Sequence, residues 1–274
     1  MSLPARRLSI VIVTYNSRGH IDACLESLLG APPNVDHEIV VIDNASTDGT
    51  AAAVRARWGA VRAIDAPGNL GFARANNLGI HQTSGELVLL LNPDTVTRPG
   101  AIDTLVAALD ARPDAAAAGP RLVDTGGRPE LSFGRMIAPL AELRQKVLVA
   151  GNDRGFPLIR PLVDRLTRRP HTVDWVSGAC LLVRRADAVA VGLLDERYFM
   201  YAEDVDFCAA LRTLGKVILF IPQATVVHLR GQSRAAETQA AYRRSHIAFY
   251  EKHHPGWLPI LRAYLRIRGR FPER

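Results

Sequence analysis

Short apolar runs and amphipathic stretches alternate along the first half of the chain. The apolar runs are rich in Val, Ile and Leu, as is typical of buried strands, and they cover residues 8–14, 38–42, 61–64 and 86–91. The amphipathic stretches carry apolar residues at helical spacing, and they cover residues 20–29, 46–58, 71–81 and 99–111. This alternation predicts an α/β fold with a mostly parallel central sheet and helices on both faces.

The second half of the chain is less regular. Its apolar runs predict strands at 115–123, 173–183, 217–221 and 225–228, and its amphipathic stretches predict helices at 204–214, 239–252 and 257–268. Residues 125–170 are rich in Pro, Gly and Arg, and they predict an excursion from the sheet that acts as a flap. We therefore expect one domain at residues 1–228 and a basic helical extension at residues 229–274.

The composition is that of a folded globular protein. The 274 residues are 48% hydrophobic and 22% charged, which excludes a disordered or collagen-like chain. No apolar run reaches the roughly 18 residues that cross a bilayer, and the N-terminal segment predicts no secretory signal. The three cysteines are widely spaced, so neither a disulfide framework nor a cysteine-rich zinc site is expected, and a reducing cytoplasm fits best.

Positive charge is concentrated at the end of the chain. Residues 228–274 contain ten basic and three acidic residues, and this difference equals the whole net charge of +7. The predicted helix 257–268 places an apolar stripe beside three arginines, which suits an interfacial helix on an anionic membrane surface. The alternative is a helix that packs on the body of the protein and exposes a solvated basic face.

Polar residues follow the predicted strands at their carboxyl ends, where open parallel sheets bind ligands. These loops are 15–16, 43–44, 69–71 and 92–94. The segment after the first strand, residues 14–19, has a single glycine at its end. It therefore matches neither the dinucleotide fingerprint nor the GxxxxGK[ST] phosphate loop. If the edge binds phosphates, Asp94 is the candidate ligand for a neutralising Mg²⁺ or Mn²⁺. The alternative is that Asn92-Pro93-Asp94 only forms a turn.

Further candidates lie in the second half. Glu203 and Asp204 lie at the start of a predicted helix and follow an aromatic stretch, a place where a carboxylate can act as a general base and the helix N-terminus stabilises its ionised form. Their alternative role is helix capping. His228 ends a predicted strand on the side where Asp94 is expected, which makes it a candidate metal ligand; the alternative is an ordinary surface or core histidine.

Six segments occur together in a characteristic order. They are SIVIVTYNS (9–17), EIVVIDNASTDGT (38–50), NLGFARANNLGI (69–80), LLLNPDT (89–95), VSGACLLVRR (176–185) and GLLDERYFMYAEDVDFCAALRTLG (192–215). Through these segments the chain resembles the family 2 glycosyltransferases, which have the GT-A fold, and in particular their bacterial rhamnosyltransferase-like branch. The resemblance extends over most of the chain and adds a Rossmann-like GT-A topology to the predicted α/β class.

The resemblance implies an inverting transfer of a sugar from a nucleotide-diphosphate donor to a hydroxyl group of an acceptor. The residues that match nucleotide-sugar-binding segments are Thr14, Tyr15, Asn16, Asp43, Arg74, Asn77, Asn92 and Asp94. Asp94 and His228 match ligands of a divalent cation, Mg²⁺ or Mn²⁺, while Asn92 replaces the first acid of the usual Asp-x-Asp motif. Asp204 matches the catalytic base, with Glu203 next in line.

Partners and location follow from the same resemblance. The first expectation for the sugar donor is dTDP-rhamnose, with UDP-sugars next. The acceptor is expected to be a saccharide or polyprenyl-linked saccharide of cell-wall or surface polysaccharide synthesis, with residues 125–170 on the acceptor side. The protein is expected to be cytoplasmic and peripheral on the inner face of the cytoplasmic membrane. The oligomeric state is not predicted.

Three alternatives remain open. A sugar nucleotidyltransferase would need a Gly-rich, basic loop after the first strand, which residues 14–19 do not supply. A nucleic-acid binder would use the basic tail, but nucleic acid is not expected because Glu203 and Asp204 would then have no role. A degenerate transferase that binds nucleotide without turnover is compatible with Asn92.

Overall fold

The computed structural model describes residues 6–229 and 236–272. In its first half, four parallel strands alternate with three helices. These are β1 (Leu8–Thr14), α1 (Ile21–Gly30), β2 (His37–Asp43), α2 (Thr50–Arg57), β3 (Arg62–Asp65), α3 (Gly71–His81) and β4 (Leu87–Leu91). The predicted βα alternation is therefore confirmed. The expectations for residues 1–5, for Arg230 and Arg234 in the basic tail, and for the last two residues fall outside the described ranges.

The second half of the chain completes the sheet and adds helices beside it. Up to the ribbon near residue 176 the elements are β5 (Thr95–Thr97), α4 (Ala101–Asp110), β6 (Ala115–Val123), β7 (Phe133–Gly134), α5 (Pro139–Asp153), α6 (Ile159–Leu166), β8 (His171–Val173) and β9 (Trp175–Val176). The remaining elements are β10 (Cys180–Arg184), α7 (Arg185–Ala190), α8 (Glu203–Thr213), β11 (Val217–His228), α9 (Ala236–His253), a 3₁₀ turn (Pro255–Trp257) and α10 (Leu258–Ile267).

A nine-stranded sheet forms the centre of the described fold. Its order is β3-β2-β1-β4-β10-β6-β11-β5, and β8 also pairs with β11. Strands β1, β2, β3, β4, β6 and β11 share one direction, whereas β5, β8 and β10 run against it. The mostly parallel sheet predicted from the sequence is therefore confirmed. Strands β7 and β9 form a separate two-stranded ribbon.

Two apolar cores cover the two faces of this sheet. Leu8, Ile10 and Ile12 of β1 are buried in the core that also contains α1 and α4, and Val11 and Val13 are buried in the opposite core with α3 and α8. Burial on both faces fixes the register of β1, because a slip by one residue would exchange the faces. The ends of β1 and β2 consequently lie side by side at one edge.

Two predicted strand boundaries are wrong. The segment 173–183 is divided into β8, β9 and β10, because the backbone N–H of Met136 donates to the Asp174 side chain at 2.8 Å and β9 leaves the main sheet to pair with β7. The strands predicted at 217–221 and 225–228 are one strand, β11, whose register shifts between Ile221 and Thr225. This irregularity lies where the sequence pattern predicts a gap between two strands.

The excursion at residues 125–170 contains a helical hairpin formed by α5 and α6. Gly151 of α5 faces Ile159 of α6 so closely that an added Cβ would lie 2.1 Å from the Ile159 Cδ1 atom. The glycine therefore permits the two helices to approach each other. The flap role of this segment stays a prediction.

The C-terminal helices pack on the body of the protein. Phe249 of α9 is completely buried, together with Tyr250, against Tyr198 and Val205. The buried Asp206 of α8 accepts hydrogen bonds from the Lys252 ammonium at 2.8 Å, and the His253 ring contacts it at 2.6 Å. Helix α10 adds Leu258 and Leu261 to the same cluster. Within the described ranges, the search for a helix with the length and hydropathy to cross a membrane finds none.

Candidate active site

Side-chain hydrogen bonds tie together the carboxyl ends of β1 and β2. Thr14 is the register partner of Asp43, and its hydroxyl donates to Asp43 Oδ1 at 3.2 Å. The backbone N–H of Ser46 donates to Asp43 Oδ2 at 3.0 Å. Thr14 and Asp43 are both buried, so the carboxylate that the resemblance assigns to the nucleotide base is held in one orientation.

The loop after β1 is attached to the loop after β2. Asn16 has a positive φ of 50°, which asparagine tolerates better than most residues. Its Oδ1 atom accepts a hydrogen bond from the backbone N–H of Thr47 at 2.8 Å, and its own N–H donates to Ser46 Oγ at 2.9 Å. The neighbouring Tyr15 side chain remains 49% exposed, which leaves its ring accessible to a ligand at this edge.

Strand pairing brings Asp94 and His228 into contact. His228 of β11 is the register partner of Thr95 of β5, and the backbone N–H of Leu229 donates to the Asp94 carbonyl at 2.7 Å. The Nε2 atom of His228 lies 3.4 Å from Asp94 Oδ1, and its Nδ1 atom lies 3.1 Å from Glu130 Oε2. The two residues named as metal ligands therefore lie together, and Glu130 joins them from the segment before β7.

The chemistry of these groups suits a divalent cation. Two ligand atoms about 2.1 Å from one ion lie about 3 to 3.5 Å from each other, a range that includes the Asp94–His228 spacing. A carboxylate behind the imidazole, as Glu130 is, commonly orients a metal-bound histidine. Asn92 Oδ1 is buried and has no hydrogen-bond partner among the described residues, so it can serve as a further polar contact for a ligand.

The protein groups form only part of a coordination shell. No group of three or more His, Cys, Asp or Glu side chains within residues 6–229 and 236–272 is arranged to hold a metal ion. Burial lowers the pKa of His228, but the hydrogen bonds and charges of Asp94 and Glu130 outweigh burial and raise this pKa to about 9. A cation would compete with that proton, because a metal-bound imidazole is neutral.

Glu203 and Asp204 begin α8 after a strained turn. Tyr201 and Ala202 have positive φ angles of 73° and 66°, a conformation that non-glycine residues rarely adopt and that is concentrated at functional sites. Asp204 Oδ2 accepts a hydrogen bond from the backbone N–H of Gly178 at 2.9 Å. The acidic pair therefore follows directly on the strained turn, and the backbone of Gly178 holds Asp204 in position.

The two adjacent acids have different surroundings. Burial raises the pKa of Asp204, and backbone N–H groups, including that of Gly178, partly oppose this shift because they favour the carboxylate. Burial and the Asp204 charge raise the pKa of Glu203 well above its ordinary value, and its Oε2 atom has no partner among the described residues. The pair thus combines a hydrogen-bonded carboxylate with a neighbouring carboxyl group that favours the neutral form.

One cavity of about 340 Å³ connects these groups. Its lining includes Glu130, Trp175, Glu203, Asp204 and His228. The backbone also joins the two sides, because the N–H of Asn92 donates to the Ala179 carbonyl at 2.9 Å, next to the glycine that holds Asp204. His228, the contact of Asp94, and Asp204 therefore line the same cavity.

Two predicted nucleotide contacts are engaged elsewhere. The Arg74 guanidinium donates to Glu196 Oε2 at 2.8 Å. Both amide atoms of the buried Asn77 bond to the backbone of Leu194, at 2.9 Å and 3.1 Å. Asn77 therefore anchors the chain that leads into α8, and the nucleotide roles of Arg74 and Asn77 stay predictions.

Sequence reasoning missed several residues of the cavity. Glu130 comes from the irregular segment 125–170, and Tyr242 and His246 come from α9, which the sequence pattern separated from the catalytic domain. Trp175 is hidden inside what was predicted as one continuous strand. None of these residues lies in a recognisable motif, so only the tertiary arrangement identifies them.

A comparison with protein families decides the assignment. The model of the family described as glycosyl transferase family 2 matches residues 9–187, well over half of the chain. The chain belongs to glycosyl transferase family 2. The matched segment includes the loops that carry Thr14, Asp43 and Asp94, while α8 and His228 lie beyond it. As a member of this family, the protein is a glycosyltransferase.

Curated relatives of this family 2 glycosyltransferase include two rhamnosyltransferases. The N-acetylglucosaminyl-diphospho-decaprenol L-rhamnosyltransferase of Mycobacterium tuberculosis is 35% identical over 91% of this chain and 86% of its own length. The rhamnosyltransferase WbbL of Escherichia coli K12 is 24% identical over 85% of this chain and 88% of its own length. The resemblance to the rhamnosyltransferase-like branch is therefore confirmed.

Solved structures confirm the GT-A fold. The mannosyltransferase PcManGT of Pyrobaculum calidifontis, in complex with GDP-Man and Mn²⁺, matches 94% of this chain and 69% of its own with a TM-score of 0.63 and 19% identity. Staphylococcus aureus TarS 1–349, in complex with UDP-GlcNAc, matches 88% of this chain and 66% of its own with a TM-score of 0.59 and 18% identity. At this identity the likeness concerns the fold alone.

Proposed function

We propose that this glycosyltransferase transfers a rhamnosyl residue from dTDP-rhamnose, with inversion, to a hydroxyl group of a polyprenyl-linked saccharide in cell-wall or surface polysaccharide synthesis. The single structural observation that carries the proposal is the cavity lined both by His228, which contacts Asp94, and by Asp204. The names of the two rhamnosyltransferase relatives support the choice of sugar, and the name of the mycobacterial relative supports the choice of acceptor.

The sheet edge binds the nucleotide in this proposal. Asp43, fixed by Thr14 and by the Ser46 N–H, accepts hydrogen bonds from the nucleobase, and the exposed Tyr15 ring packs against it. Asn16 holds the surrounding loop in place. The site is thereby organised before the nucleotide arrives, which reduces the ordering cost of binding.

Asp204 is the base in this proposal. In a single displacement the acceptor oxygen attacks the anomeric carbon on the face opposite the leaving diphosphate, and its proton must leave on that side. The raised pKa of Asp204 increases its affinity for that proton. Its hydrogen bond from Gly178 holds the carboxylate in one orientation while the proton transfers.

Asp94 and His228 would hold a divalent cation, Mg²⁺ or Mn²⁺, with Glu130 orienting the imidazole. When bound, such a cation stabilises negative charge that develops on the departing diphosphate. With Asn92 in place of a second acid, the site has fewer negative ligands than an Asp-x-Asp motif, and it relies more on the substrate phosphates to complete the coordination.

A screen of sugar donors tests the proposal. The full-length protein is incubated with dTDP-rhamnose or UDP-sugars, each with Mg²⁺, Mn²⁺ or EDTA, and release of the nucleoside diphosphate is measured. We expect cation-dependent release from dTDP-rhamnose, severe loss with Asp94→Ala, and little change with Asp36→Ala, which removes an exposed partner of Arg6.

The other outcomes separate the alternatives. Release from a UDP-sugar but not from dTDP-rhamnose would replace the rhamnosyl assignment while keeping the transferase. Binding of nucleotide without release from any donor would identify a degenerate transferase. Equal release in EDTA would remove the cation from the proposal.

We also propose that the C-terminal helix α10 seats the enzyme on an anionic membrane surface, at the inner face of the cytoplasmic membrane. This location would bring the crevice close to a lipid-linked acceptor. The support is the exposure of apolar side chains beside arginines on α10, with Ile267 84% exposed. We propose that residues 1–228 form the catalytic domain and that residues 229–274 form a basic helical extension.

A further inference from the structure

The cavity beside Asp204 extends away from the sheet edge toward α5 and α9. Glu142 of α5 and Tyr242 and His246 of α9 line this part of it, together with Trp175 and Tyr201. None of these side chains belongs to the cation site or to the nucleotide edge. Asp204 lines the same cavity, so a molecule bound here would have its hydroxyl groups close to the base.

We propose that this part of the cavity binds the terminal sugar of the acceptor, and that Glu203 forms a hydrogen bond with a substituent of that sugar. The proposal rests on the function proposed above and adds to it a site for the acceptor. The ligand class is a pyranose with hydroxyl groups and a carbonyl-bearing substituent, such as an N-acetylhexosamine.

The unsatisfied carboxyl group of Glu203 is the first line of support. Glu203 is only 6% exposed. Its Oε2 atom lacks a hydrogen-bond partner within residues 6–229 and 236–272. Leaving a buried polar group unpaired is unfavourable, so an unpaired carboxyl oxygen at a cavity wall is suited to bind a ligand.

The different environments of the two acids assign them different roles. Asp204 accepts hydrogen bonds from the backbone N–H groups of Gly178 and Val205, which favour a carboxylate and hence a base. For Glu203, burial together with the Asp204 charge raises the pKa well above the ordinary value, although a hydrogen bond from its own backbone N–H opposes the shift. A neutral carboxyl group can donate a hydrogen bond to a sugar carbonyl or hydroxyl oxygen as well as accept one.

Aromatic side chains line another part of the cavity wall. Tyr201 and Tyr242 form an edge-to-face pair with ring centroids 5.7 Å apart, and Trp175 lines the same cavity. Aromatic faces bury apolar surface while their polar edges remain able to bond, which suits a ring that has C–H groups on its faces and hydroxyl groups around its rim. The volume of about 340 Å³ is at the lower end of the range for small-molecule sites.

Glu142 holds this wall in a fixed arrangement. It contacts the His246 ring at 3.0 Å and accepts a hydrogen bond from the Tyr250 hydroxyl at 2.8 Å, and it also pairs with Lys146. Burial raises the pKa of Glu142, but His246 and Lys146 outweigh burial and lower it to about 2. The carboxylate therefore stays ionised at neutral pH and links α5 to α9.

Part of this wall lies beyond the segment that the family model matches. The family match ends at residue 187, whereas Tyr242 and His246 belong to α9 (Ala236–His253). The extension therefore contributes part of the acceptor site itself, and its side chains are suited to determine which acceptor is accepted.

A binding experiment without turnover tests the site directly. Saturation-transfer difference NMR is recorded with methyl N-acetyl-β-glucosaminide and the full-length protein, as wild type, Glu203→Ala, Tyr242→Ala and Gln239→Ala. Gln239 is an exposed residue of the same helix that does not line the cavity. We expect signal for the wild type and the control, and at least a tenfold weaker affinity for the other two variants. Equal affinity in all four proteins, or binding by none, would overturn the proposal.

Kinetics with an N-acetylglucosaminyl diphospholipid of short prenyl chain provide the second readout. Glu203→Ala should raise the KM for this acceptor at least tenfold with less than a twofold change in the KM for the sugar donor, and Glu203→Gln should restore most of the acceptor affinity. A parallel rise in the KM for the sugar donor, or a fall in kcat with unchanged acceptor KM, contradicts the proposal. Because the NMR test needs neither sugar donor nor turnover, failure of the donor screen and failure of the acceptor site are distinct results.

Discussion

At the scale of single residues, hydrogen bonding decides what each acid of the crevice can do. Asp43 and Asp204 each accept a hydrogen bond from a backbone N–H group, which fixes the direction of the side chain. Asp94 faces a histidine that is itself held by Glu130. Glu203, in contrast, has no such partner for Oε2 in the described part of the chain. These four acids are thereby suited to different tasks.

Substitution of the proposed base should separate sugar-donor binding from transfer. We expect Asp204→Asn to lower the kcat of transfer by about 10² to 10⁴, with the Kd for dTDP-rhamnose unchanged within a factor of two, because Asp204 is not one of the residues proposed to bind the nucleotide or the cation. In the wild type, the raised pKa of Asp204 predicts that kcat/KM falls as the pH decreases through a value above the ordinary aspartate pKa, since the protonated acid cannot accept a proton. Calorimetry and a pH–rate profile measure both effects. Loss of donor affinity in this variant would refute the assignment of Asp204 as base.

Glu130 should act on the cation through His228. We expect Glu130→Gln to raise the Mn²⁺ concentration required for half-maximal activity by about 10- to 100-fold, while saturating Mn²⁺ restores most of kcat. The reason is that the carboxylate at 3.1 Å from Nδ1 orients the imidazole. The matched control is Glu26→Gln, which removes an exposed partner of Arg57. An unchanged Mn²⁺ requirement would show that Glu130 has only a structural role.

At the scale of elements, the pattern of apolar residues predicts the helices and strands whose bounds depend on nearby residues. The bounds of α3 were predicted as 71–81, as observed, and β1 and β4 were predicted within a residue, because their apolar periodicity has one solution. The division of residues 173–183 and the pairing of β5 with β11 were not predicted, because each depends on partners far away in the chain. The same reason explains the site: Asp94 and Asp204 stood in motifs, whereas Glu130 and Tyr242 are positioned only by tertiary contacts.

The packing of α9 on the body should be a large part of the stability. Phe249 is completely buried against the cluster that contains Tyr198, so we expect Phe249→Ala to lower the free energy of unfolding by about 3 to 5 kcal/mol. Urea unfolding followed by circular dichroism measures this change. Ile260→Ala on α10, an exposed position, should change the stability by less than about 0.5 kcal/mol. Equal small effects of both substitutions would mean that α9 contributes little to the folded body.

At the scale of the whole molecule, the extension joins two surfaces that face in different directions. Helix α9 contributes Tyr242 and His246 to the cavity. Helix α10 buries Leu265 and packs Leu258 and Leu261 on the body, while its Ile260, Tyr264 and Ile267 side chains remain exposed. Trp257, in the 3₁₀ turn before α10, is 50% exposed. The two alternatives set out from the sequence, a helix packed on the body and an interfacial helix, are therefore compatible with each other.

Membrane binding should accordingly depend on the exposed side chains of α10. The helix should not be deleted to test this, because truncation would also remove the packed Leu258, Leu261 and Leu265 side chains. We expect the wild type to float with vesicles that contain phosphatidylglycerol and to bind neutral vesicles less, with salt weakening the interaction because arginines contribute to it. Replacing Trp257, Ile260 and Ile267 by serine should reduce the bound fraction at least tenfold, since each loses apolar area that would enter the interface. The matched control replaces Val189 and Leu214, exposed apolar residues elsewhere on the surface, and should bind as the wild type does. If the α10 variant floats as well as the control while both unfold at the wild-type urea concentration, α10 is not the membrane contact, and the acceptor reaches the crevice by another surface.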